Sequence, residues 1–276
     1  MTAFFILSPF LFYYIHKALK TQEILKFYLQ KKSFFIKLIF TMSLPCFIGK
    51  VSDSHIIIES QEYHHAVNVK KLKINDKIEV NDLNGNCFVA TINKIEKNYL
   101  IAIIDSKITK DIPKTDITLY QCLPNKLSKI DELIEPISQL NVKTFIPVIS
   151  QHCALKPKDI QNKIAKWEKI AIQSIKQCKR LFPVIIEKQQ NLFDINPKEQ
   201  LKIVFYENEK NNTLKSLKIK TFDSIAIVIG PEGGFCESEI LHLQKKGFIA
   251  LSLSKNILKT EVATISALAQ IELMII

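Results

Sequence analysis

The sequence lacks the residue spacings that mark metal sites and disulfide frameworks. Its six cysteines include no Cys-x-x-Cys pair and follow no regular spacing. We therefore predict reduced thiols in a cytoplasmic protein and no metal site. His64 and His65 are adjacent in the chain, as are His152 and Cys153. Because adjacent side chains do not easily share one face of a helix, paired metal ligands and a Cys/His nucleophile are disfavoured.

Long apolar runs are also missing. Residues 3–15 are apolar and aromatic apart from Ser8 and Pro9, whereas a membrane-spanning helix needs about 20 such residues. This opening has no basic region and no small-residue cleavage site, so a secretory signal is not indicated. Residues 16–40 alternate lysines with Ile, Leu and Phe, as a basic helix on a membrane surface would. One interpretation of residues 1–41 is therefore a targeting or membrane-surface segment without stable insertion.

Arginine is nearly absent, since Arg180 is the single arginine beside 37 lysines. The net charge is +11, and residues 1–41 carry +5 of it with six lysines and one acid. The remaining chain is moderately basic, which is compatible with an RNA partner but does not require one. A guanidinium binds carboxylates and phosphates in a planar, bidentate way that lysine cannot reproduce. Arg180 therefore indicates either an RNA or active-site contact or a structural salt bridge.

Glycine is scarce, with six residues in 276, yet three of them lie within Gly230–Gly234. The apolar run 225–229 before them predicts a buried parallel strand, and residues 237–246 after them predict a helix. Glycines at such a turn favour close approach of the backbone to a ligand. A phosphate ligand is disfavoured because Pro231 has no N–H, Glu232 is anionic and the P-loop and Gly-x-Gly-x-x-Gly patterns are absent. A neutral or cationic ligand fits better, and a plain strand-to-helix turn is the alternative.

A second pattern of strand, loop and helix follows directly. Residues 248–253 predict a strand and residues 261–274 a closing helix. In that helix, one apolar face can be formed by Val262, Ile265, Leu268, Ala269 and Leu273. The face could serve core packing or a dimer interface equally well. In a parallel sheet, both loops would leave the same carboxyl edge, which is where ligands bind.

The rest of the chain divides into a strand-rich part and an alternating part. Strands are predicted at 56–58, 78–80, 88–92 and 99–104, with a helix at 62–71 and a hairpin turn at Asn84-Gly85. The polar, proline-containing segment 107–116 predicts a domain boundary. Beyond it, the predicted order is strand 117–123, helix 126–140, strand 144–148, helix 158–177, a strand near Val184 and strand 201–206. This alternation predicts an α/β layer with a parallel sheet.

The two loops carry a resemblance to a known family. Ile-Gly-Pro-Glu-Gly-Gly-Phe at 229–235 and Leu-Ser-Leu-Ser-Lys-Asn-Ile-Leu-Lys-Thr-Glu-Val-Ala at 251–263 resemble the paired signature of the RsmE family of ribosomal RNA small-subunit methyltransferases, in the SPOUT class. The resemblance implies an α/β domain at 117–276 tied in a trefoil knot. It also implies S-adenosylmethionine as cofactor, methylation of N3 of a uridine in 16S ribosomal RNA, and a homodimer whose sites are completed across the two-fold axis.

The resemblance also implies roles for particular residues. Catalytic roles fall to Lys259, Glu261 and Arg180. Cofactor contacts fall to Tyr206, Ile229, Gly230, Glu232, Gly233, Gly234, Leu251, Leu253, Ser254, Ile257 and Leu258. Residues 42–106 resemble the small PUA-like β-barrel of the family, so RNA contacts fall to His64, His65, Lys70, Lys71, Lys73, Lys126, Lys179 and Arg180. A solvated charged face is the alternative for the lysines of the barrel.

The chain departs from the family pattern at several positions. Ser254 replaces Gly, Lys259 replaces Arg and Val262 replaces Thr in the second loop, while Asn75 replaces Gly in the barrel. Lys259 keeps the positive charge that would stabilise a uracil anion but loses the fork of an arginine. An active methyltransferase is the favoured interpretation, and an RNA-binding pseudoenzyme that keeps the fold and cofactor pocket is the alternative.

The opening of the chain has a second interpretation. Met-Ser-Leu-Pro-Cys-Phe-Ile from Met42 resembles the usual start of the family. We therefore expect residues 1–41 to be an extension that is dispensable for folding and methylation.

Overall fold

The computed structural model describes residues 44–153, 155, 157–217 and 221–275. The predictions for residues 1–41 lie outside these ranges. From Cys46 onward the described residues form one compact unit with two β-sheets. None of the described helices is both long enough and apolar enough to cross a bilayer.

The first sheet has six short strands. They are β1 (Cys46–Ile48), β2 (Lys50–Val51), β3 (His55–Glu59), β4 (Lys77–Asn81), β5 (Cys87–Ile95) and β6 (Tyr99–Ile108). Their spatial order is β1-β4-β5-β6-β3-β2, antiparallel except for the β1–β4 pair. The two edge strands, β1 and β2, are separated by Gly49 alone, so the sheet must curl to bring its edges together. A Cβ atom at Gly49 would lie 2.7 Å from Cγ2 of Ile56, so the seam has no room for a side chain.

The predicted hairpin and helix of this barrel are confirmed. Residues 82–86 connect β4 to β5, and Gly85 has a φ of +88°. Helix α1 (Ser60–His64) continues as a π-helical turn over His65–Val69. Asn75 has a φ of +76°, the left-handed backbone that favours glycine. This torsion accounts for asparagine at a position where the family usually has glycine, because Asn tolerates that region better than most residues.

The second sheet is parallel throughout. Its strands are β7 (Asp116–Cys122), β8 (Val142–Ile149), β9 (Ile185–Ile186), β10 (Gln190–Asn191), β11 (Leu201–Phe205), β12 (Ser224–Ile229) and β13 (Ile249–Leu251). Their spatial order is β10-β8-β7-β12-β11-β13, with β9 also paired to β8. The helices are α2 (Ser128–Gln139), α3 (Pro157–Cys178), α4 (Glu237–Lys245) and α5 (Thr260–Ile275). The predicted parallel α/β sheet is confirmed, while the trefoil knot and the domain boundaries stay predictions.

Both faces of this sheet are covered by helices. Along β12, Ile225, Ile227 and Ile229 pack into one apolar cluster with residues of α2, α3 and α5. The alternate residues Ala226 and Val228 pack into a second cluster with residues of α4. Side chains of a strand point alternately to the two faces, and here both faces are dry. This burial explains why the run 225–229 is apolar without interruption.

Most of the predicted apolar face of the closing helix is exposed, so core packing does not account for it. Of the five residues proposed for it, only Leu268 is buried. The helix instead buries Thr260, Thr264, Ala267, Leu268 and Ile271. Val262, Ile265 and Leu273 are exposed, Leu273 with 80% of its surface. The helix is apolar on nearly every side, so spacing alone could not show which side meets the sheet.

The indole of Trp167 is the largest side chain that is fully buried. It packs edge-on against Phe145 with ring centroids 6.0 Å apart, and its Nε1 donates to Oδ1 of Asp131 at 2.8 Å. Lys163 and Lys166 both pair with Oδ2 of Asp131. Although burial favours the neutral acid, these lysines and the indole hold the pKa of Asp131 below its ordinary value. One side chain thus joins the apolar core to a charged cluster on α2 and α3.

We predict that Trp167→Ala lowers the free energy of unfolding by about 3–5 kcal/mol, because it opens a cavity and leaves an Asp131 oxygen without its donor. Urea denaturation followed by circular dichroism measures the change. Lys143→Met is the control, since it removes only the exposed ion pair with Asp116 and should cost less than about 1 kcal/mol. A loss below about 1 kcal/mol for the Trp167 variant would contradict this assignment.

Candidate functional site

The two loops singled out in the sequence lie at the carboxyl edge of the parallel sheet. Strand β11 lies between β12 and β13, so the loop that starts at Tyr206 lies between the other two. The backbone N–H of Tyr206 donates to the carbonyl of Leu251 at 3.0 Å, and that of Ser252 donates to the carbonyl of Asn212 at 2.7 Å. The predicted meeting of three loops at one edge is thus confirmed, and hydrogen bonds join two of them.

The glycines of the first loop allow close packing by protein groups. A Cβ atom at Gly230 would lie 2.9 Å from the ring of Phe235. Gly234 has a φ of +69°, and a Cβ there would lie 2.0 Å from Oε1 of Glu207. Any larger residue at Gly234 would therefore clash with the carboxylate and strain the backbone. Side chains of the chain itself thus come close to both glycines.

A buried polar network holds the first loop against the closing helix. Oγ1 of Thr260 donates to the carbonyl of Gly230 at 2.7 Å and accepts from Nε2 of Gln121 at 3.0 Å. Oγ1 of Thr264 donates to Oε1 of the same glutamine at 2.6 Å. Gln121 and Thr264 are fully buried. These residues were missed in the sequence, where the available signal was a polar residue within an otherwise apolar strand or helix.

A second buried group holds the end of the same loop. The carboxylate of Glu239 is fully buried on α4. Its two oxygens accept from the backbone N–H groups of Gln151 at 2.8 Å and of Cys236 at 3.0 Å. Cys236 is the N-cap of α4. Glu239 thereby links the loop after β8 to the loop after β12, and its sequence signal was the capping-box spacing of Cys236 and Glu239.

Charged side chains cluster between the first loop and the closing helix. The Lys129 ammonium forms an ion pair with Oε1 of Glu232 and lies 3.5 Å from Oε2 of Glu261. The backbone N–H of Asn125 also donates to Glu232, at 3.2 Å. Hydrogen bonds from Lys129 and then Asn125 lower the pKa of Glu232, and the bond to Glu232 raises the pKa of Lys129. Two carboxylates and one ammonium leave a net charge of −1, which suits a cationic ligand.

The second loop places half of its six candidates at the surface. Leu251 is buried, Leu253 and Leu258 are half-buried, and Ser254, Ile257 and Lys259 are exposed. Oγ of Ser254 accepts from the backbone N–H of Asn256 at 3.2 Å. The φ of Ser254 is not positive, so serine is tolerated there without left-handed strain. The carbonyl of Lys259 accepts from Ala263 at 2.8 Å, so Lys259 lies directly before α5 and near Glu261.

Arg180 is not brought to this edge within one chain. Its Nη1 donates to the carbonyls of Ser138 at 2.8 Å and Val142 at 2.9 Å. These carbonyls lie at the end of α2 and the start of β8, at the opposite, amino-terminal edge of the sheet. One nitrogen of the guanidinium thus satisfies both carbonyls. Arg180 therefore does not reach the site of its own chain, and its catalytic role stays a prediction.

The RNA-contact candidates fall into two groups. Five are exposed, namely His64, Lys70, Lys71, Lys73 and Lys126. The ring of His65 is half-buried and lies 5.7 Å from the ring of Phe47, and burial lowers its pKa, with Lys176 adding to the effect. Nζ of Lys179 pairs with Glu79 at 2.7 Å.

Among the described residues, no group of three His, Cys, Asp or Glu side chains is placed to hold a metal ion.

Comparisons with known proteins agree with this geometry. Residues 110–272 match the family model of an RNA methyltransferase domain, and residues 58–105 match that of an RNA methyltransferase PUA domain. The first match covers the parallel sheet with its loops, and the second lies within the six-stranded barrel.

Named relatives and a solved structure resemble the chain over most of its length. Ribosomal RNA small subunit methyltransferase E of Aquifex aeolicus is 34% identical over 185 residues, 66% of this chain and 79% of the relative. The protein of the same name from Rickettsia conorii is 31% identical over 231 residues, 82% of this chain and 90% of the relative. The crystal structure of the Neisseria gonorrhoeae protein of that name, bound to S-adenosylmethionine, superimposes with a TM-score of 0.75 at 26% identity, covering 84% of this chain and 98% of that chain. With its two family models matched in order, the chain belongs to the ribosomal RNA small subunit methyltransferase E family.

Proposed function

We propose that this protein transfers the methyl group of S-adenosylmethionine to N3 of a uridine in the 16S RNA of the small ribosomal subunit. The observation that carries the proposal is the group of three loops at the carboxyl edge, where Glu232, Lys129 and Glu261 form a cluster of net charge −1. The relatives named for small-subunit RNA methylation support the substrate class. Action on ribosomal RNA also supports a cytoplasmic location.

The residues present fit S-adenosylmethionine in charge. The donor carries a sulfonium cation, and the net negative cluster at Glu232 would attract it. Backbone groups of Ile229, Gly230, Leu253 and Leu258 would read the adenine edge, and these contacts are insensitive to side-chain changes. Tyr206, Gly233, Gly234, Leu251, Ser254 and Ile257 would complete the wall of the pocket. Bound there, the cofactor would supply a methyl group on a good leaving group.

The chain would contribute mainly position and charge. Methyl transfer requires the nucleophile to lie in line with the bond that breaks, and correct placement alone contributes much of the acceleration. The uridine must also lose the proton at N3, which leaves an anion on the uracil ring. We assign Lys259 to the stabilisation of that anion and Glu261, through Lys129, to holding the first loop against α5. Exposed lysines of the barrel and Lys126 would bind the phosphate backbone without reading sequence.

Incubation of the protein with small ribosomal subunits and methyl-labelled S-adenosylmethionine tests the proposed reaction. We expect label in the RNA at a single uridine. Cofactor binding without any label in the RNA would instead favour the RNA-binding pseudoenzyme.

We predict that Lys259→Ala lowers the rate of methyl transfer about 100-fold to 1000-fold, because the uracil anion loses its nearest cation. The Kd for S-adenosylmethionine should change less than about twofold, since the cofactor contacts proposed here are made by backbone groups. Single-turnover kinetics and calorimetry provide the two measurements. Lys255→Ala, an exposed lysine of the same loop, is the matched control and should retain its rate. Equal losses of rate and cofactor affinity would refute the role given to Lys259.

We predict that Lys129→Met makes cofactor binding more sensitive to acid. The pKa of Glu232 is lowered in the native protein, so the carboxylate stays ionised until the pH falls below its ordinary value. Without the ammonium the pKa rises again, and binding should be lost at a higher pH. Calorimetric titrations at several values from about pH 4 to 7 measure the midpoint. Lys143→Met, at the exposed amino-terminal edge of the sheet, should leave the midpoint unchanged. An unchanged midpoint in the Lys129 variant would contradict the prediction.

We also propose that the protein is a homodimer, with the exposed apolar face of α5 in the interface. Val262, Ile265 and Leu273 lie on this face and are between 40% and 80% exposed. Exposed apolar patches of this kind mark contact surfaces.

We predict that Leu273→Asp weakens self-association at least tenfold in sedimentation equilibrium, because a charge would have to be desolvated at the interface. Leu241→Asp on α4 is the control, since Leu241 is 51% exposed on another helix. The fold of both variants should persist, because neither side chain is buried. Identical association of the Leu273 variant and the wild-type protein would exclude this face.

A further inference from the structure

Residues 179–181 connect the barrel to the parallel sheet through their backbone. Nδ2 of Asn81, at the end of β4, donates to the carbonyls of Arg180 at 3.1 Å and Leu181 at 3.0 Å. Only 1% of Asn81 is exposed. Its Oδ1 accepts from the backbone N–H of Leu83 at 2.7 Å, within the barrel. One buried amide therefore uses its acceptor inside the barrel and its donors across the joint.

The side chains of the same segment extend to opposite sides. Lys179 pairs with Glu79 on β4 of the barrel at 2.7 Å. Arg180, the next residue, donates to the carbonyls of Ser138 and Val142 in the α/β part. Lys179 has a φ of +62°, a backbone region that residues other than glycine rarely adopt. The segment keeps this unfavourable torsion while its two side chains are held by different domains.

A third group reinforces the joint. Nζ of Lys110, between the two sheets in sequence, donates to Oε1 of Glu79 at 2.5 Å and to the carbonyl of Lys179 at 2.9 Å. Burial alone would raise the pKa of Glu79, but its bonds to Lys110 and Lys179 outweigh burial and lower it. The stabilising contribution of Glu79 is therefore fully present at neutral pH and is lost as the pH falls through that lowered pKa.

Phe182, which directly follows residues 179–181, packs against the hairpin turn of the barrel. A Cβ atom at Gly85, in the hairpin turn of the barrel, would lie 2.5 Å from Cζ of Phe182. The aromatic ring therefore lies directly on the turn backbone. Further along, Glu62 on α1 pairs with Lys176 on α3 at 2.7 Å. The contacts are mostly short and directional, so they define an orientation as well as an attachment.

We propose that residues 179–181 form an interdomain strap, with Asn81 and Glu79 as its positioning residues, that sets the orientation of the RNA-binding barrel relative to the methyl-transfer site and so selects the nucleotide that is methylated. The inference rests on the proposed function. It assigns Lys179 and Arg180 to the joint within each chain, where the sequence favoured direct contact with RNA.

Lever-arm geometry explains why this orientation matters. The strap is anchored at the start of β8, whereas the loops of the site follow the ends of the strands. Eight residues of strand place these edges roughly 25 Å apart. A rotation of about 5° at that distance moves a bound nucleotide by about 2 Å, and a misplacement of about 1 Å can cost about 100-fold in rate. A small loosening of the strap is therefore enough to change the outcome.

Asn81→Asp tests the strap with little change in the barrel. The aspartate keeps an oxygen for the N–H of Leu83 but turns a second oxygen toward the carbonyls of Arg180 and Leu181, so the joint is repelled. We expect the Kd for S-adenosylmethionine to stay within about twofold of wild type. Methylation of small subunits should fall about 10-fold to 100-fold, or spread to other nucleotides. Reverse transcription maps the position, because a methyl group at N3 blocks base pairing, and small-angle X-ray scattering reports the orientation of the domains.

Asn98→Asp is the matched control, since it makes the same charge change at an exposed position of the barrel. It should leave the methylation rate, the methylated position and the scattering unchanged. Lys179→Met is a second variant and should change them in the same direction as Asn81→Asp. The strap is refuted if scattering, position and rate all match wild type, or if the domains loosen while rate and position do not change. If Asn81→Asp lowers cofactor affinity as much as methylation, Asn81 supports folding in general, and the strap is also refuted. If the wild-type protein itself does not methylate subunits, the proposed function fails, and scattering alone decides whether the strap orients the barrel.

Discussion

The buried hydrogen bonds among Gln121, Thr260, Thr264 and the carbonyl of Gly230 determine the shape of the site. They connect the first strand of the parallel sheet to the glycine loop and the last helix, which lie more than 100 residues later in the chain. A buried polar group without its partner costs about 1–3 kcal/mol, so each member of the network specifies the place of the others. The loop of Gly230 is therefore adjacent to the start of α5, and Glu232 meets Lys129 and Glu261 there.

Charge is distributed unevenly over the protein. The chain as a whole is strongly basic, yet the cluster of Glu232, Glu261 and Lys129 is net negative. A basic surface favours a polyanion such as RNA, whereas a local negative site favours a cationic donor. RNA and the cationic donor have opposite charges, so the basic surface attracts the RNA and the negative cluster attracts the donor. Lys259 is close to the negative cluster in sequence and exposed to solvent. It can therefore face both the cationic donor and the RNA.

Arg180 and Lys179 show that the partner of a charged residue is decided by the tertiary structure. The single arginine among many lysines predicted a contact with RNA or the active site, or a structural salt bridge. Within one chain its guanidinium binds two backbone carbonyls, of Ser138 and Val142, at the edge of the sheet opposite the site. Lys179 pairs with Glu79 in the barrel. The chemistry of a guanidinium is visible in sequence, but its partner is not, since carbonyls and phosphates both accept from it.

Apolar periodicity in the sequence determined the long strands and helices of the α/β part, mostly to within two residues, and the glycine loop indicated the edge where the site lies. It could do so because the alternation of residues along an element reports which faces are buried. The tertiary structure decided everything that joins distant segments. Lys129 meets Glu232 across 103 residues and Glu261 across 132 residues. It also decided which side of α5 faces the core, because a helix that is apolar all round carries no signal for direction. Local patterns are set by near neighbours, whereas these contacts depend on how the whole chain packs.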